Sequence, residues 1–275
     1  MSASIAPTAE PLLSVEHVQV RFGGLVAIAD LHFDVTKGEI LSLIGPNGAG
    51  KTTAFNVLTG FLRPTNGRVR FRGVDLTRLK THAISRMGLA RTFQRTSVFA
   101  DDTVLDNLLI ALHRHGQPGP FDLLLPDQWR RAPEATTYER ARELLDLVGL
   151  DARHGAKAGD LAYGEQRCVG VALALATDPE LLLLDEPVSG MNASETAAFV
   201  SVLRRIRDRG ITIVLVEHDM PMVMAVSDRI VCLNHGRLIA TGTPASIQQD
   251  SAVIEAYLGH GSATRALMAE GPAHA

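Results

Sequence analysis

The sequence predicts an α/β fold built around a mostly parallel sheet. Four apolar runs show no regular alternation with polar residues, as expected of strands that a parallel sheet buries on both faces. These runs are residues 40–44, 181–184, 211–216 and 230–233. Segments 13–20, 32–35 and 68–73 do alternate, so they predict a small antiparallel β subdomain beside the parallel sheet.

A helical subdomain is predicted to interrupt the sheet, because β-type runs are absent between about residues 97 and 160. Ala141, Leu144, Leu145 and Val148 are spaced by three and four residues, as on one face of a helix. Prolines interrupt residues 116–133, which favours a loop or short helices there.

Composition limits the function classes. The 275 residues, 46% of them hydrophobic, can bury one large core. A net charge of -3 gives no field that would gather nucleic acid. Cys168 and Cys232 lack metal-type spacing, which favours free thiols in a reducing compartment. The N-terminus lacks the features of a signal peptide and no run is long enough to span a membrane, so we expect a cytosolic chain.

A glycine-rich loop follows the first buried run and predicts a phosphate site. The pattern G-x-x-x-x-G-K-[ST] between a strand and a helix cradles a nucleoside triphosphate with backbone N–H groups and the positive end of the helix dipole. We expect Lys51 to reach the outer phosphates and Thr52 to ligate Mg²⁺. The predicted loop comprises Gly45, Pro46, Asn47, Gly48, Ala49, Gly50, Lys51, Thr52 and Thr53.

Two further buried runs end in groups suited to hydrolysis. Asp185 and Glu186 follow residues 181–184, and His218 lies just beyond residues 211–216. The carboxyl ends of parallel strands form the ligand-binding edge of an α/β sheet. We expect Asp185 to hold the water shell of Mg²⁺, Glu186 to orient or deprotonate the attacking water, and His218 to contact the γ-phosphate. Gln94 could reach Mg²⁺ or that water.

The order of these motifs resembles the ATP-binding subunits of ABC transporters over residues 13–259. The resemblance implies that Phe22 stacks on adenine and that ATP lies between two ATPase chains. One chain then supplies the phosphate loop and the other supplies a signature segment. That segment corresponds here to Leu161, Ala162, Tyr163, Gly164 and Glu165.

Several segments are similar to the branched-chain amino-acid uptake group, in particular to the longer of its two ATPases. They are residues 84–94, 103–108, 161–164, 216–220 and 256–259. The similarity implies a heterodimer with a second, different ATPase, two integral-membrane permease subunits and, indirectly, a periplasmic solute-binding protein. The chain would then be peripheral, on the cytoplasmic face of the inner membrane.

The resemblance also divides the chain into five segments around a P-loop NTPase core. They are a mobile N-terminus (1–11), the first part of the ATP-binding core with the antiparallel β subdomain (12–96), the helical subdomain with the signature (97–165), the second part of the core (166–259) and a mobile tail (260–275).

This chain departs from the general family pattern at three positions. Ala162 replaces a serine, which removes a hydroxyl donor. A hydrogen bond from such a donor to a charged group contributes about 1.5–3 kcal/mol. Glu165 replaces the usual glutamine, and Asn192 replaces a common aspartate. We expect Ala162 and Glu165 to affect the ATP site that uses this chain's signature and Asn192 to alter cross-talk between the two sites, while this chain's own catalytic half stays intact.

Other readings remain open from the sequence. Related importers carry urea, amides or aromatic acids, and a similar ATPase drives lipopolysaccharide export. Soluble ABC ATPases of DNA repair or translation have a long coiled coil or two cassettes, neither of which this chain shows. A non-catalytic scaffold would be expected to lack Glu186 or His218, and both are present.

Overall fold

The computed structural model describes residues 10–92, 98–113 and 135–258. Predictions for Gln94 and for residues 1–9, 114–134 and 259–275 lie outside these ranges. Ten strands are present in the described chain. In chain order they are β1 (Leu13–Phe22), β2 (Leu25–Val35), β3 (Ile40–Ile44), β4 (Asn66–Phe71), β5 (Val74–Asp75), β6 (Leu89–Arg91), β7 (Leu181–Asp185), β8 (Thr212–Val216), β9 (Arg229–Asn234) and β10 (Arg237–Gly242).

The strands form one mixed sheet in the order β5-β4-β1-β2-β10-β9-β3-β8-β7-β6. The central block β9-β3-β8-β7-β6 is parallel throughout. Strands β1, β2, β4 and β5 pair antiparallel at the other end. The α/β class with a separate antiparallel region is therefore confirmed, and the buried runs are its parallel strands.

Nine helices are present in the described part of the chain, and three of them lie between β6 and β7, where the sequence predicted a helical insertion. They are α1 (Lys51–Leu58), α2 (Thr81–Arg86), α3 (Val104–His113), α4 (Ala135–Leu147), α5 (Tyr163–Leu175), α6 (Ala193–Asp208), α7 (Met220–Val226), α8 (Pro244–Gln248) and α9 (Ser251–Leu258). None of these helices is both long enough and apolar enough to cross a membrane.

Two apolar layers cover the two faces of the parallel strands. Residues alternate between them: Leu181 and Leu183 face one layer, while Leu182 and Leu184 face the other. The first layer includes α1 and the antiparallel strands, and the second includes α3 to α7. Since both faces are covered, the parallel strands carry mostly apolar side chains, and the charged groups lie where the strands end.

The two parts of the sheet meet at the turn between β9 and β10. Arg237 of β10 pairs with Asp30 of β2. The carbonyl of Gly236 accepts hydrogen bonds from Ala29 N (2.8 Å) and Asp30 N (3.4 Å). Gly236 N in turn donates to Ala49 O at 3.0 Å. This turn therefore joins the antiparallel strands to the loop that follows β3.

A buried asparagine fixes the entry to the helical insertion. The Asn107 side chain, 2% exposed, accepts from Phe99 N at 2.8 Å. It donates to Phe99 O at 3.0 Å and to Thr103 O at 2.9 Å. One amide thus holds the segment before α3 in a fixed conformation.

We predict that Asn107→Ala lowers the free energy of unfolding by about 2 kcal/mol, because it removes three hydrogen bonds and leaves the Phe99 N–H without this partner. Urea unfolding followed by circular dichroism measures the loss. Ile110→Ala is the matched control on the same helix; Ile110 is 40% exposed, so its truncation should cost less than about 1 kcal/mol. Equal losses for the two variants would contradict the anchoring role of Asn107.

Candidate functional site

The loop between β3 and α1 approaches neighbouring strands so closely that only glycine fits. Gly45 has φ +151°, and a Cβ there would lie 2.2 Å from Leu233 O. Gly50 has φ +103°, and its Cβ would lie 2.8 Å from Ala27 O. These are backbone contacts that cannot give way like a flexible side chain. The predicted phosphate loop, residues 45–52, is thus held between β9 and β2, with its helix beginning at Lys51.

Lys51 closes this loop on itself. Its Nζ donates to Gly45 O at 2.6 Å and to Pro46 O at 3.1 Å. Burial lowers the pKa of Lys51, and the nearby carboxylates of Glu186 and Asp185 oppose that shift. The structure therefore brings the cation of the loop and both predicted carboxylates into one electrostatic environment. Thr52 is exposed in the first turn of α1.

Asp185 is the buried member of the carboxylate pair. Its side chain is 9% exposed, and its Oδ2 accepts from Arg91 Nη2 at 2.7 Å. Arg91 Nη1 also donates to Asn56 Oδ1 at 2.8 Å and to Thr59 Oγ1 at 3.3 Å. Arg91 thus ties the end of β7 to the helix that follows the phosphate loop. Phe55 also packs against its guanidinium, with the ring centre 5.7 Å away.

Glu186 adopts a backbone conformation that is uncommon for a residue with a side chain. Its φ is +47°, and its N–H donates to Val216 O at 2.9 Å, at the end of β8. Residues outside the usual backbone regions are concentrated at functional sites. The turn after β7 therefore holds Glu186 at the edge of the sheet, close to Lys51.

A second buried carboxylate, Glu217, organises the turn that carries His218. Glu217 accepts backbone N–H groups from Val188 at 2.9 Å and from His218 at 2.9 Å. Burial raises the pKa of Glu217, and the backbone N–H donors oppose that shift. The imidazole of His218 is 62% exposed beside Glu217. Glu217 therefore links the chain after Glu186 to the chain around His218.

The signature segment lies at the start of α5 and contacts another part of the chain. Glu165 Oε2 accepts a hydrogen bond from Ala162 N at 3.0 Å. The methyl group of Ala162 cannot accept a hydrogen bond from the first N–H groups of the helix, so Ala162 provides no side-chain cap. Gly164 N donates to Glu195 Oε1 at 3.3 Å. Tyr163 packs 3.2 Å from the position that a Cβ of Gly190 would occupy. Leu161 is buried.

Phe22 ends β1 and is 51% exposed, as suits an aromatic face open to a ligand. Gln94 lies outside the described residues.

The sequence pattern indicated no role for Arg91, Glu217 or Glu195. Arg91 and Glu217 could have been suspected, because each places a charged side chain at the end of an apolar strand. A charged side chain buried there needs a partner of opposite charge or hydrogen bonds.

We predict that Arg91→Met lowers the free energy of unfolding by about 3–5 kcal/mol, because it leaves the Asp185 carboxylate buried without its ion pair. Urea unfolding again gives the value. Arg72→Met is the control: Arg72 pairs with Glu180 at 2.6 Å, but at 47% and 34% side-chain exposure, so its loss should cost about 0–1 kcal/mol. If Arg91→Met costs no more than Arg72→Met, the ion pair is not a stabilising element.

Comparison with known proteins agrees with this geometry. The family model described as "ABC transporter" matches residues 28–189. A second, described as "Branched-chain amino acid ATP-binding cassette transporter", matches residues 237–263. The high-affinity branched-chain amino acid transport ATP-binding protein LivG of Escherichia coli (strain K12) is 44% identical over 91% of this chain and 98% of its own length. The corresponding BraF protein of Pseudomonas aeruginosa is 42% identical over 90% of this chain and 98% of its own.

Solved structures give the same result. The ADP conformation of an ATP-binding cassette of an ABC transporter superposes with a TM-score of 0.80 at 30% identity, over 92% of this chain and all of that one. A nucleotide-free cassette gives 0.76 at 30% identity, over 90% and 98%. The chain therefore belongs to the family of ABC transporter ATP-binding subunits, which hydrolyse ATP to drive transport.

Proposed function

We propose that this ATPase powers the uptake of branched-chain amino acids through partner permease subunits. The observation that carries the chemistry is the convergence of Lys51, Asp185 and Glu186 at the carboxyl edge of the parallel strands. The 44% identity to a branched-chain amino acid transport protein over nearly the whole chain supports the substrate class. This sequence identity also makes import of urea, amides or aromatic acids, and lipopolysaccharide export, less favoured alternatives.

The loop fits a triphosphate. Glycine at positions 45 and 50 lets the loop pack closely against β9 and β2, and α1 begins directly after it, where the first N–H groups of a helix have no partner within the helix. Lys51, held by two loop carbonyls, is placed to bind the outer phosphates. Phe22, exposed at the end of β1, offers a ring on which adenine can stack.

Mg²⁺ fits the oxygen donors of Thr52 and Asp185, because it prefers hard oxygen ligands. When bound, it would neutralise charge on the phosphates. The Arg91 contact holds Oδ2 of Asp185 and so orients the carboxylate. Glu186, fixed by its bond to Val216, would accept a proton from the attacking water or orient it, and His218 would contact the γ-phosphate. Gln94 would add a polar contact to the metal or the water.

We further propose a heterodimer, in which the second ATPase uses the signature of this chain, Leu161 to Glu165. A periplasmic solute-binding protein would deliver the amino acid to the permeases, and the chain would be attached to the cytoplasmic face of the membrane through them.

We predict that Glu186→Gln abolishes transport while keeping ATP binding, because the amide cannot accept a proton. The measurement is uptake of radiolabelled leucine by cells that lack the gene and carry the native chain or the variant. Glu180→Gln, at the surface before β7, is the control and should restore uptake. If leucine uptake does not depend on the gene, the substrate assignment is wrong, and urea, amides and aromatic acids are tested in the same cells.

We predict that Lys51→Ala weakens ATP binding at least about tenfold, since it removes the cation of the phosphate loop. Titration with a fluorescent ATP analogue measures the dissociation constant. Lys37→Ala removes an ammonium whose side chain is 67% exposed and should leave the constant unchanged. Equal affinity of the native chain and Lys51→Ala would contradict the phosphate-cradle assignment.

A further inference from the structure

Two histidines and an aspartate form a cluster on β1 and β2. His17, Asp30 and His32 each offer one ligand atom, and these atoms all lie within 4.8 Å of one another. His17 Nδ1 is 2.9 Å from Asp30 Oδ1, and His32 Nδ1 is 3.7 Å from Asp30 Oδ2. The imidazole rings are 5.2 Å apart, centre to centre, with a tilt of 32°. Within the described residues, this is the one group of three such side chains that could hold a metal ion.

A β-bulge brings the third ligand to the same side of the sheet. Asp30 and His32 share a face of β2, because side chains two residues apart point the same way. On β1, Val15 pairs with Phe33 and Val18 pairs with Leu31. Two residues, Glu16 and His17, therefore stand opposite the single residue His32. Such a bulge shifts the alternation of side chains, and His17 joins the face of its two partners.

The bulge holds His17 in a strained backbone conformation. Its φ is +46°, a region that few residues with side chains adopt. Gly67 on the neighbouring β4 accommodates it, because a Cβ there would lie 2.3 Å from His17 O. Backbone strain of this kind costs of order 1 kcal/mol or more and persists where surrounding structure enforces it. The strained backbone thus directs the His17 imidazole toward Asp30.

The donor set and its spacing match a transition-metal site. Zn²⁺ binds His nitrogen and Asp oxygen at about 2.0–2.2 Å in a tetrahedron, so neighbouring ligand atoms lie about 3.3 Å apart. The ligand atoms of the three residues all lie within 4.8 Å of one another, so small side-chain rotations can bring them to that spacing. The side chains of His17, His32 and Asp30 are 75%, 53% and 38% exposed, so an ion can reach them. Two imidazoles favour zinc-like ions over Mg²⁺ or Ca²⁺.

We propose that His17, Asp30 and His32 bind one divalent ion of the zinc class, with water at the fourth position. The ion replaces the hydrogen bond between His17 and Asp30 and links β1 to β2 across the bulge. Asp30 N and Gly236 N form successive hydrogen bonds that lead to Ala49 of the phosphate loop. The metal therefore rigidifies a strand pair that is hydrogen-bonded to the phosphate loop. Its ligands are different residues from those proposed for Mg²⁺.

Cobalt titration of the untagged full chain, without nucleotide or Mg²⁺, tests the proposal. Co²⁺ reports coordination by its visible absorption, and Zn²⁺ competition confirms the class of ion. The native chain should bind one equivalent at this cluster, with the absorption of a tetrahedral site and a higher melting temperature in the presence of metal. His17→Asn, His32→Asn and Asp30→Asn should each weaken binding at least about tenfold.

Asparagine is the substitution of choice at residue 17, because it tolerates a positive φ and so preserves the bulge. Equal melting temperatures without metal will show that each variant is folded. His82→Asn, an exposed histidine on α2, is the control and should keep native affinity. Absence of Co²⁺ binding at millimolar concentration, or binding undiminished in a His17→Asn, His32→Asn double variant, would overturn the proposal.

Discussion

The close approach of the phosphate loop to the strands beside it is the constraint on which the site depends. Gly45 leaves no room for a Cβ against Leu233 O, and Gly50 leaves none against Ala27 O. The loop is therefore fixed by close backbone contacts with β9 and β2, together with the Lys51 side chain that bonds two of its carbonyls. α1 begins directly after the loop, at Lys51. The close packing also explains why the turn at Gly236 joins both parts of the sheet to Ala49.

Buried charges at the carboxyl edge of the sheet have specific partners. Asp185 is held by Arg91, which also bonds Asn56 and Thr59 on the first helix and its end. Glu217 accepts backbone N–H groups from two turns and has the His218 imidazole beside it, with Nδ1 3.7 Å from its Oε2. An unpaired ion in such a place would cost several kcal/mol. These contacts set the relative positions of Glu186, His218 and Lys51, so they maintain the geometry of the site as well as its stability.

The signature segment is partly exposed, since Ala162 and Tyr163 face outward while Leu161 and Gly164 are buried. Gly164 N bonds Glu195, a residue that also accepts from Asn192 N at 3.0 Å. One carboxylate thus joins the signature helix to the cap of α6. The replacement of serine by Ala162 removes a side-chain cap, and Glu165 supplies a bond to the Ala162 N–H. Ala162 and Glu165 together therefore give the start of α5 a local hydrogen bond, although no serine hydroxyl is present.

The sequence by itself determined the fold class and the main catalytic candidates, because both depend on local signals. Unbroken apolar runs indicate strands buried on two faces, and the spacing of Gly45, Gly50 and Lys51 belongs to a short continuous loop. Strands β6 and β10 were not predicted, since β6 has only three residues and β10 shows neither an unbroken apolar run nor a clear alternation.

Only the tertiary structure decided the contacts between distant segments. Arg91 and Asp185 are 94 residues apart, and Glu217 reaches Val188 from 29 residues away. The cluster of His17, Asp30 and His32 depends on a bulge, which alters the register of two strands without a mark in the sequence pattern. Pairing of this kind is a property of the packed sheet, where each strand's neighbours are chosen by the burial of the whole core.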